Sequence, residues 1–162
     1  MDIKKLELKN LEDVICVYDA ARELMRERGN SHQWKDGYPT RADLEKDIEN
    51  GILWGVFEEG ELCGAFAFLN GRDAAYDKID GEWLNDNFYR AIHKVASSGK
   101  YKGVFGVICD FCKEAGVDLK IDTHEKNDVM KHLITKNGFE YCGIVEVLPN
   151  EPRLAYQYTF KK

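Results

Sequence analysis

The 162-residue chain has no apolar run near the ~20 residues that a membrane-spanning helix needs. Its opening, Met1-Asp2-Ile3-Lys4-Lys5, lacks the apolar core of a secretory leader and passes straight into a strand-like segment. Basic residues are in the minority, 23 Lys and Arg against 29 Asp and Glu, for a net charge of −6. That excludes a general nucleic-acid binder, which must neutralise many phosphates. A local basic cluster for a small anionic ligand stays compatible with it. There are only three prolines, and no Pro/Gly/Ser linker, low-complexity tract or internal repeat. The five cysteines, Cys16, Cys63, Cys109, Cys112 and Cys142, are odd in number and irregularly spaced, which excludes a secreted disulfide framework. Cys109 and Cys112 form a lone CxxC inside a predicted helix, with no second pair at zinc spacing, so buried thiols are expected and no metal. No GxGxxG follows the first strand, which sets aside a dinucleotide-dependent oxidoreductase. These absences predict one cytoplasmic domain over residues 1–162, with no membrane and no nucleic-acid partner.

Apolar residues make up 44% and charged residues 32% of the chain, enough to bury roughly two-thirds of the unfolded surface. Strand and helix patterns alternate, the mark of an α/β layered domain. Ile3 to Leu8 reads as a strand. Asn10, with Asp13 three residues on, reads as a capped helix start. Leu11, Val14, Ile15, Tyr18, Ala21 and Met25 then recur at helical spacing, and Gly29 ends the run. Thr40 with Asp43 starts a second helix that closes at Gly51. Residues 52–57 and 62–69 form a hairpin across Glu58-Glu59-Gly60-Glu61. Residues 70–87 are a long polar loop of the kind that often serves as a binding loop or lid. Residues 89–96, 103–115 and 117–122 read as a β-α-β unit with a parallel strand pair. A helix from Asn127 to Lys136 and strands 139–148 and 154–160 complete the order β-α-α-β-β-β-α-β-α-β-β.

Between strand 89–96 and the helix at 103 lies Ser97-Ser98-Gly99-Lys100-Tyr101-Lys102-Gly103. Its glycines allow a tight turn, and the following helix offers free N–H groups and the positive end of its dipole. This is an anion site suited to a pyrophosphate, with Lys94, Lys100 and Lys102 near. An ordinary strand-to-helix loop with solvated lysines fits the same residues.

The larger pattern comprises Asp122-Thr123-His124, Asn127, Met130, Leu133 and Lys136-Asn137-Gly138-Phe139. With it go Gln33-Trp34, Gly37-Tyr38-Pro39, Ile92-His93-Lys94-Val95 and Leu154-Ala155-Tyr156. It resembles the GNAT acetyltransferases, most of all a bacterial group with an Asp-Thr-His, Asn, Met stretch, over nearly the whole chain. The resemblance implies a mixed central sheet of about seven strands with helices on both faces. It further implies acetyl-CoA as cosubstrate and acetyl transfer to a primary amine by direct attack. Two positions depart from the family. The pyrophosphate signature, Arg or Gln, two residues, Gly, one residue, Gly or Ala, is matched by Lys100-Tyr101-Lys102-Gly103-Val104-Phe105. Lys stands first and Phe105 last, with Gly106 one residue later. The tyrosine that many members place four residues before Gly138, as acid for the leaving thiolate, is Ile134. These departures motivate the alternative of a CoA-binding or interaction module without turnover.

By the resemblance, CoA lies at Val95, Ala96, Lys100, Tyr101, Lys102, Gly103, Val104, Phe105, Gly106 and Asn127. A backbone N–H near Val95 or Ala96 serves the oxyanion. Asn127 is either a CoA ligand or only a helix cap. His124 is the first candidate for proton transfer, with Asp122 orienting it or holding a cationic acceptor, unless both merely cap the next helix. His93 reads as a satisfied strand histidine, and His132 as a solvated helix residue. Gln33, Trp34 and Tyr38, and Tyr76 and Trp83 on the long loop, are expected to recognise a small-molecule or peptide amine. The same aromatics equally form a hydrophobic plug under a loop. Asp36, Asp73, Asp77 and Asp80 add negative charge for a cationic acceptor. A homodimer paired through late strands is a further expectation of the resemblance.

Overall fold

The computed structural model describes residues 1–30, 33–35 and 37–161. Its strands are β1 (Asp2–Lys5), β2 (Leu53–Glu58), β3 (Glu61–Phe68), β4 (Asp80–Gly81), β5 (Tyr89–Ser97), β6 (Asp118–Thr123), β7 (Glu140–Leu148) and β8 (Glu151–Tyr158). Its helices are α1 (Leu11–Glu27), α2 (Arg41–Glu49), α3 (Val104–Lys113) and α4 (Asp128–Lys136). One mixed sheet runs in the order β1-β2-β3-β5-β6-β8-β7-β4. It has eight strands where the sequence predicts about seven. The extra one, β4, is two residues within the 70–87 segment, too short to leave a periodic signal.

Local signals account for most of these elements. The β2–β3 hairpin pairs Glu58 with Glu61 across the expected turn. Thr40 and Asp43 exchange side-chain bonds with each other's N–H groups at the start of α2. Asn127 caps α4 by accepting the Met130 N–H at 3.2 Å. Asn10 departs from expectation. Its side chain accepts the Glu7 N–H at 2.9 Å and closes a 3-10 turn at Leu8–Asn10, so it makes no side-chain cap for α1. That turn also ends β1 at Lys5, short of Leu8.

On one face of the sheet, α1 buries Leu11, Val14, Val17, Tyr18 and Ala21 against Ala65, Ala67 and Ala96, while α2 adds Leu44 and Ile48. On the other face, α3 and α4 bury Phe105, Ile108, Cys109, Cys112 and Ile134 against Phe66, Ile92, Leu119 and Ile121. Part of the polar 70–87 segment covers the sheet. Tyr76 and Trp83 pack with Tyr89, Ala91, Val145 and Ala155, where α1 and α2 do not reach. Lys120, buried on β6, lies 3.9 Å from the ring centres of both Trp83 and Tyr89, a cation–π pair of contacts that seats the segment. Two glycines close its edge. A Cβ on Gly143 would stand 2.2 Å from the Asp80 carbonyl oxygen, and one on Gly81 2.3 Å from that of Cys142, so β4 and β7 meet only as glycines.

Candidate active site

The site is created by one extra residue in β5. Ala67 faces His93 and Ala65 faces Ala96, so three steps on β5 match two on β3. The excess falls at Lys94, whose φ of +54° is left-handed, costly for a residue with a Cβ. Buried partners hold it there. The Tyr18 hydroxyl donates to the Lys94 carbonyl at 2.6 Å, and Lys94 Nζ bonds Asp47 Oδ2 at 2.6 Å. Burial alone lowers the Lys94 ammonium, but the Asp47 bond and the surrounding negative groups outweigh it, and the net displacement is upward.

Past this bulge β5 leaves its parallel partner. Pairing with β6 runs from Tyr89 to Ile92 and stops at Ile121. The Ser98 N–H donates to Cys63 on β3. By the alternation of a strand, the N–H groups of Ser97 and Val95 point the other way, into the gap between β5 and β6.

Two clefts meet at that gap, sharing Met25, Val95, Asn127 and Met130. The smaller, about 430 Å³, runs along the end of β5 to the start of α3 and over the first turn of α4. Gly103 precedes α3 with φ +81°, and no side chain caps the helix. A residue with a Cβ there is strained, and the uncapped N–H groups face the cleft. Phe105 turns its side chain into the core at 5% exposure, so its presence in place of a small residue does not block the backbone. Tyr101, Lys102, Gly103, Val104, Phe105, Gly106 and Asn127 all line this cleft. Lys100 does not: it bonds Glu61 at 2.5 Å. Exposed Arg28 and Lys126, which sequence reasoning did not select, join Lys102 as cations on the rim.

The larger cleft, about 660 Å³, lies on the α1 side and is lined by Gln33, Trp34 and Tyr38 together with Asp73, His93, Asp122 and Arg153. His93, which the sequence reads as a satisfied strand histidine, lines this cleft. Its Nε2 lies 2.6 Å from Asp73 Oδ2, and its Nδ1 3.8 Å from Asp122 Oδ2. Asp73 also accepts the Ala75 N–H at 2.9 Å. The His93 bond, reinforced by that N–H against the opposing effect of burial, holds the Asp73 carboxyl below its ordinary range. An ionised Asp73 accepts a hydrogen bond from Nε2–H, and in the neutral tautomer that makes this bond the lone pair lies on Nδ1. Asp122 accepts the hydroxyl of buried Tyr76 at 2.5 Å; burial first, and Asp122 next, push that phenol well above its usual range. Asp122 is therefore tied to Tyr76 and near His93, while His124 accepts the Lys126 N–H through Nδ1 at 3.1 Å at the α4 entry and lines neither cleft. The only available pointer to His93 was its place near the carboxyl end of a strand beside a switch in strand order, where ligands of open α/β sheets gather.

Tyr76 and Trp83 do not line the larger cleft. Trp83 donates through its indole to the Tyr76 carbonyl at 2.9 Å, and both rings sit in the plug described above. Asp77 pairs with Arg72, Asp80 lies in β4, and Asp36 falls outside the described residues. Ile134 is completely buried, so a side chain at that position faces the core. Burial raises the thiols of Cys109, to about 12, and of Cys112. Among the described residues no group of three His, Cys, Asp or Glu side chains could hold a metal ion, and no helix is long and apolar enough to cross a membrane.

No protein-family model matches the chain, and no curated protein matches it. Solved structures do. An acetyltransferase of the GNAT family from Streptococcus agalactiae is 35% identical over 99% of this chain and 96% of its own, with a TM-score of 0.88. The N-acetyltransferase PaiA from Thermoplasma acidophilum, in complex with coenzyme A, is 16% identical over 98% of both chains, with a TM-score of 0.66. A GNAT-like decarboxylase in complex with isobutyryl-CoA is 10% identical over 99% of this chain and all of its own, with a TM-score of 0.68. The latter two share the fold alone, and the decarboxylase shows that this fold carries more than one reaction.

Proposed function

This chain belongs to the GNAT family of acetyltransferases, and from that premise we propose that it transfers the acetyl group of acetyl-CoA to a primary amine of a small molecule or peptide. The observation that carries the reading is the junction of the two clefts at Val95, with an anion site beyond it on one side and an Asp–His pair on the other.

Acetyl-CoA supplies an acetyl thioester that a neutral amine can attack directly. The residues present fit its phosphates. The uncapped N–H groups at Val104 to Gly106 are the main donors, with Arg28, Lys102 and Lys126 adding charge. The altered signature is compatible with this, because main chain does the recognition and Phe105 keeps its ring in the core. The Val95 N–H, directed into the gap, is the donor for negative charge that develops on the thioester oxygen.

Gln33, Trp34 and Tyr38 line the route by which the amine enters. His93, rather than His124, takes the proton from the attacking nitrogen through Nδ1, directly or across one water. Asp73 holds the ring in the needed tautomer and offsets the charge that forms on it, the part an aspartate plays beside a catalytic histidine. The N–C bond forms, the C–S bond breaks, and the thiolate leaves without a side-chain acid from the Ile134 position, taking its proton from solvent.

Calorimetric titration with acetyl-CoA at low and moderate salt, followed by thiol release across a panel of amines, tests this. Saturable binding that weakens with salt, and amine-dependent release, are expected. Binding with no release from any amine leaves a CoA-binding module, the reading that the buried Ile134 favours. No binding at millimolar ligand removes both.

A further inference from the structure

Among the described residues, one buried side-chain oxygen or nitrogen has no hydrogen-bond partner: Asn30 Oδ1. Asn30 follows the end of α1, is 3% exposed, and lines the smaller cleft. An orphaned buried acceptor is rare in folded proteins and carries a desolvation cost that only a ligand or water offsets.

Which end of the amide is left without a partner follows from a chain of bonds. The Met130 N–H fixes the Asn127 oxygen as an acceptor, so its nitrogen is the end that meets Gln33 Oε1 at 3.0 Å. The His124 N–H reaches the same Gln33 atom at 3.3 Å. Two donors identify that atom as the carbonyl oxygen. The Asn30 end that lies 3.4 Å from it is therefore the nitrogen, and the oxygen is left over.

We propose that Asn30 Oδ1 accepts a hydrogen bond from the pantetheine arm of the acyl-CoA, so that Asn30 is a cofactor-binding residue that reads the arm rather than the nucleotide. The inference rests on the proposed function above. The phosphates find their donors at the α3 N-terminus, and they carry no proton to give an acceptor. The pantetheine arm does, with two amide N–H groups and a hydroxyl. It must run from α3 along β5 toward Val95, and Val95 and Asn30 line the same cleft.

The test compares CoA with adenosine 3′,5′-bisphosphate, which lacks the arm, by calorimetry on wild type, Asn30→Leu and Asn30→Asp. Both variants lose the bond to Gln33, but only the leucine loses the acceptor. Loss of a buried bond predicts that Asn30→Leu binds CoA about tenfold more weakly with its bisphosphate affinity unchanged. Asn30→Asp keeps the wild-type ratio of the two affinities, since its added charge acts on both ligands. Should the leucine variant not fold, Asn30→Ser serves, because its shorter side chain withdraws the acceptor. An unchanged ratio in Asn30→Leu, or an equal fall in Asn30→Asp, overturns the inference and leaves the cofactor reading standing. Wild type that binds neither compound overturns both.

Discussion

The Tyr18→Phe variant removes a single oxygen from a wholly buried ring, and its effect on turnover should exceed its effect on folding. The lost hydroxyl is the partner of the Lys94 carbonyl at 2.6 Å. Leaving a buried acceptor unpaired costs about 1–3 kcal/mol. For a domain of this size each kcal/mol lowers the melting temperature by about 2–4 °C, so a fall of roughly 2–12 °C is expected. That hydroxyl also helps hold Lys94 left-handed, a conformation that costs about 1–2 kcal/mol for a residue with a Cβ. The two figures are similar, so without the bond the extended conformation competes with the bulge. When the bulge relaxes, the strand loses its extra residue, and the Val95 N–H turns from the gap toward β3. Turnover with an amine identified by thiol release should therefore fall about tenfold or more while the melting curve stays cooperative. Glycine adopts positive φ without strain, so Lys94→Gly, paired with Asp47→Asn to avoid a lone buried carboxylate, should restore turnover in the Tyr18→Phe background. If kcat stays within twofold of wild type while the melting temperature drops, the hydroxyl only fills space and the account of the bulge is wrong.

Three further outcomes can be checked independently. His93→Gln should lower kcat/KM by about 10²-fold or more with little change in acetyl-CoA affinity, whereas His124→Ala should leave kcat/KM within a few-fold; a larger loss from His124 would return it to the chemistry. Asp73 titrates below its ordinary value in the folded state because of His93, so its stabilisation is complete above the unfolded pKa of about 3.9 and is lost as pH falls through the lower folded value. Denaturant melts of Asp73→Asn should accordingly show a shallower loss of stability below about pH 4 than wild type; parallel curves would contradict the pairing. Gly143→Ala forces a methyl to 2.2 Å from the Asp80 carbonyl, so β4 must separate from β7, and Trp83 fluorescence should shift to the red as the 70–87 segment loosens.

What could be read from the sequence was what the chain determines locally. The hairpin at Glu58–Glu61, the Thr40–Asp43 capping box, the Asn127 cap and the uncapped start of α3 each depend on residues a few positions apart. The His93–Asp73 pair spans 20 residues, and the Tyr76–Asp122 bond 46. Neither spacing is periodic, and only the sheet order β3-β5-β6 brings them together. His93 looked like a strand residue because it is one; the bulge at its neighbour turns that stretch into a cleft wall. Nothing in the identity of a lysine announces a left-handed conformation, which here is imposed by Tyr18 and Asp47 from two different helices. His124, the sequence's first candidate for proton transfer, sits at the end of a strand, but its Nδ1 accepts an N–H in the turn into α4 and it lines neither cleft.

The Lys94 bulge ties the fold to the reaction more closely than any single side chain in the clefts. Without it, β5 and β6 would go on pairing past Ile92 and Ile121, and the sheet would close over the gap. With it, the strands part and the Val95 N–H faces the gap. His93, immediately before the bulge, stays in register with β3 and presents its ring to the larger cleft, while Val95, immediately after, lines both. The proposed proton acceptor and oxyanion donor are thus two residues apart on one strand, with their relative position set by a backbone conformation rather than by flexible side chains. Because α1 and α2 hold that conformation through Tyr18 and Asp47, substitutions on those helices that never touch either substrate should alter kcat more than KM.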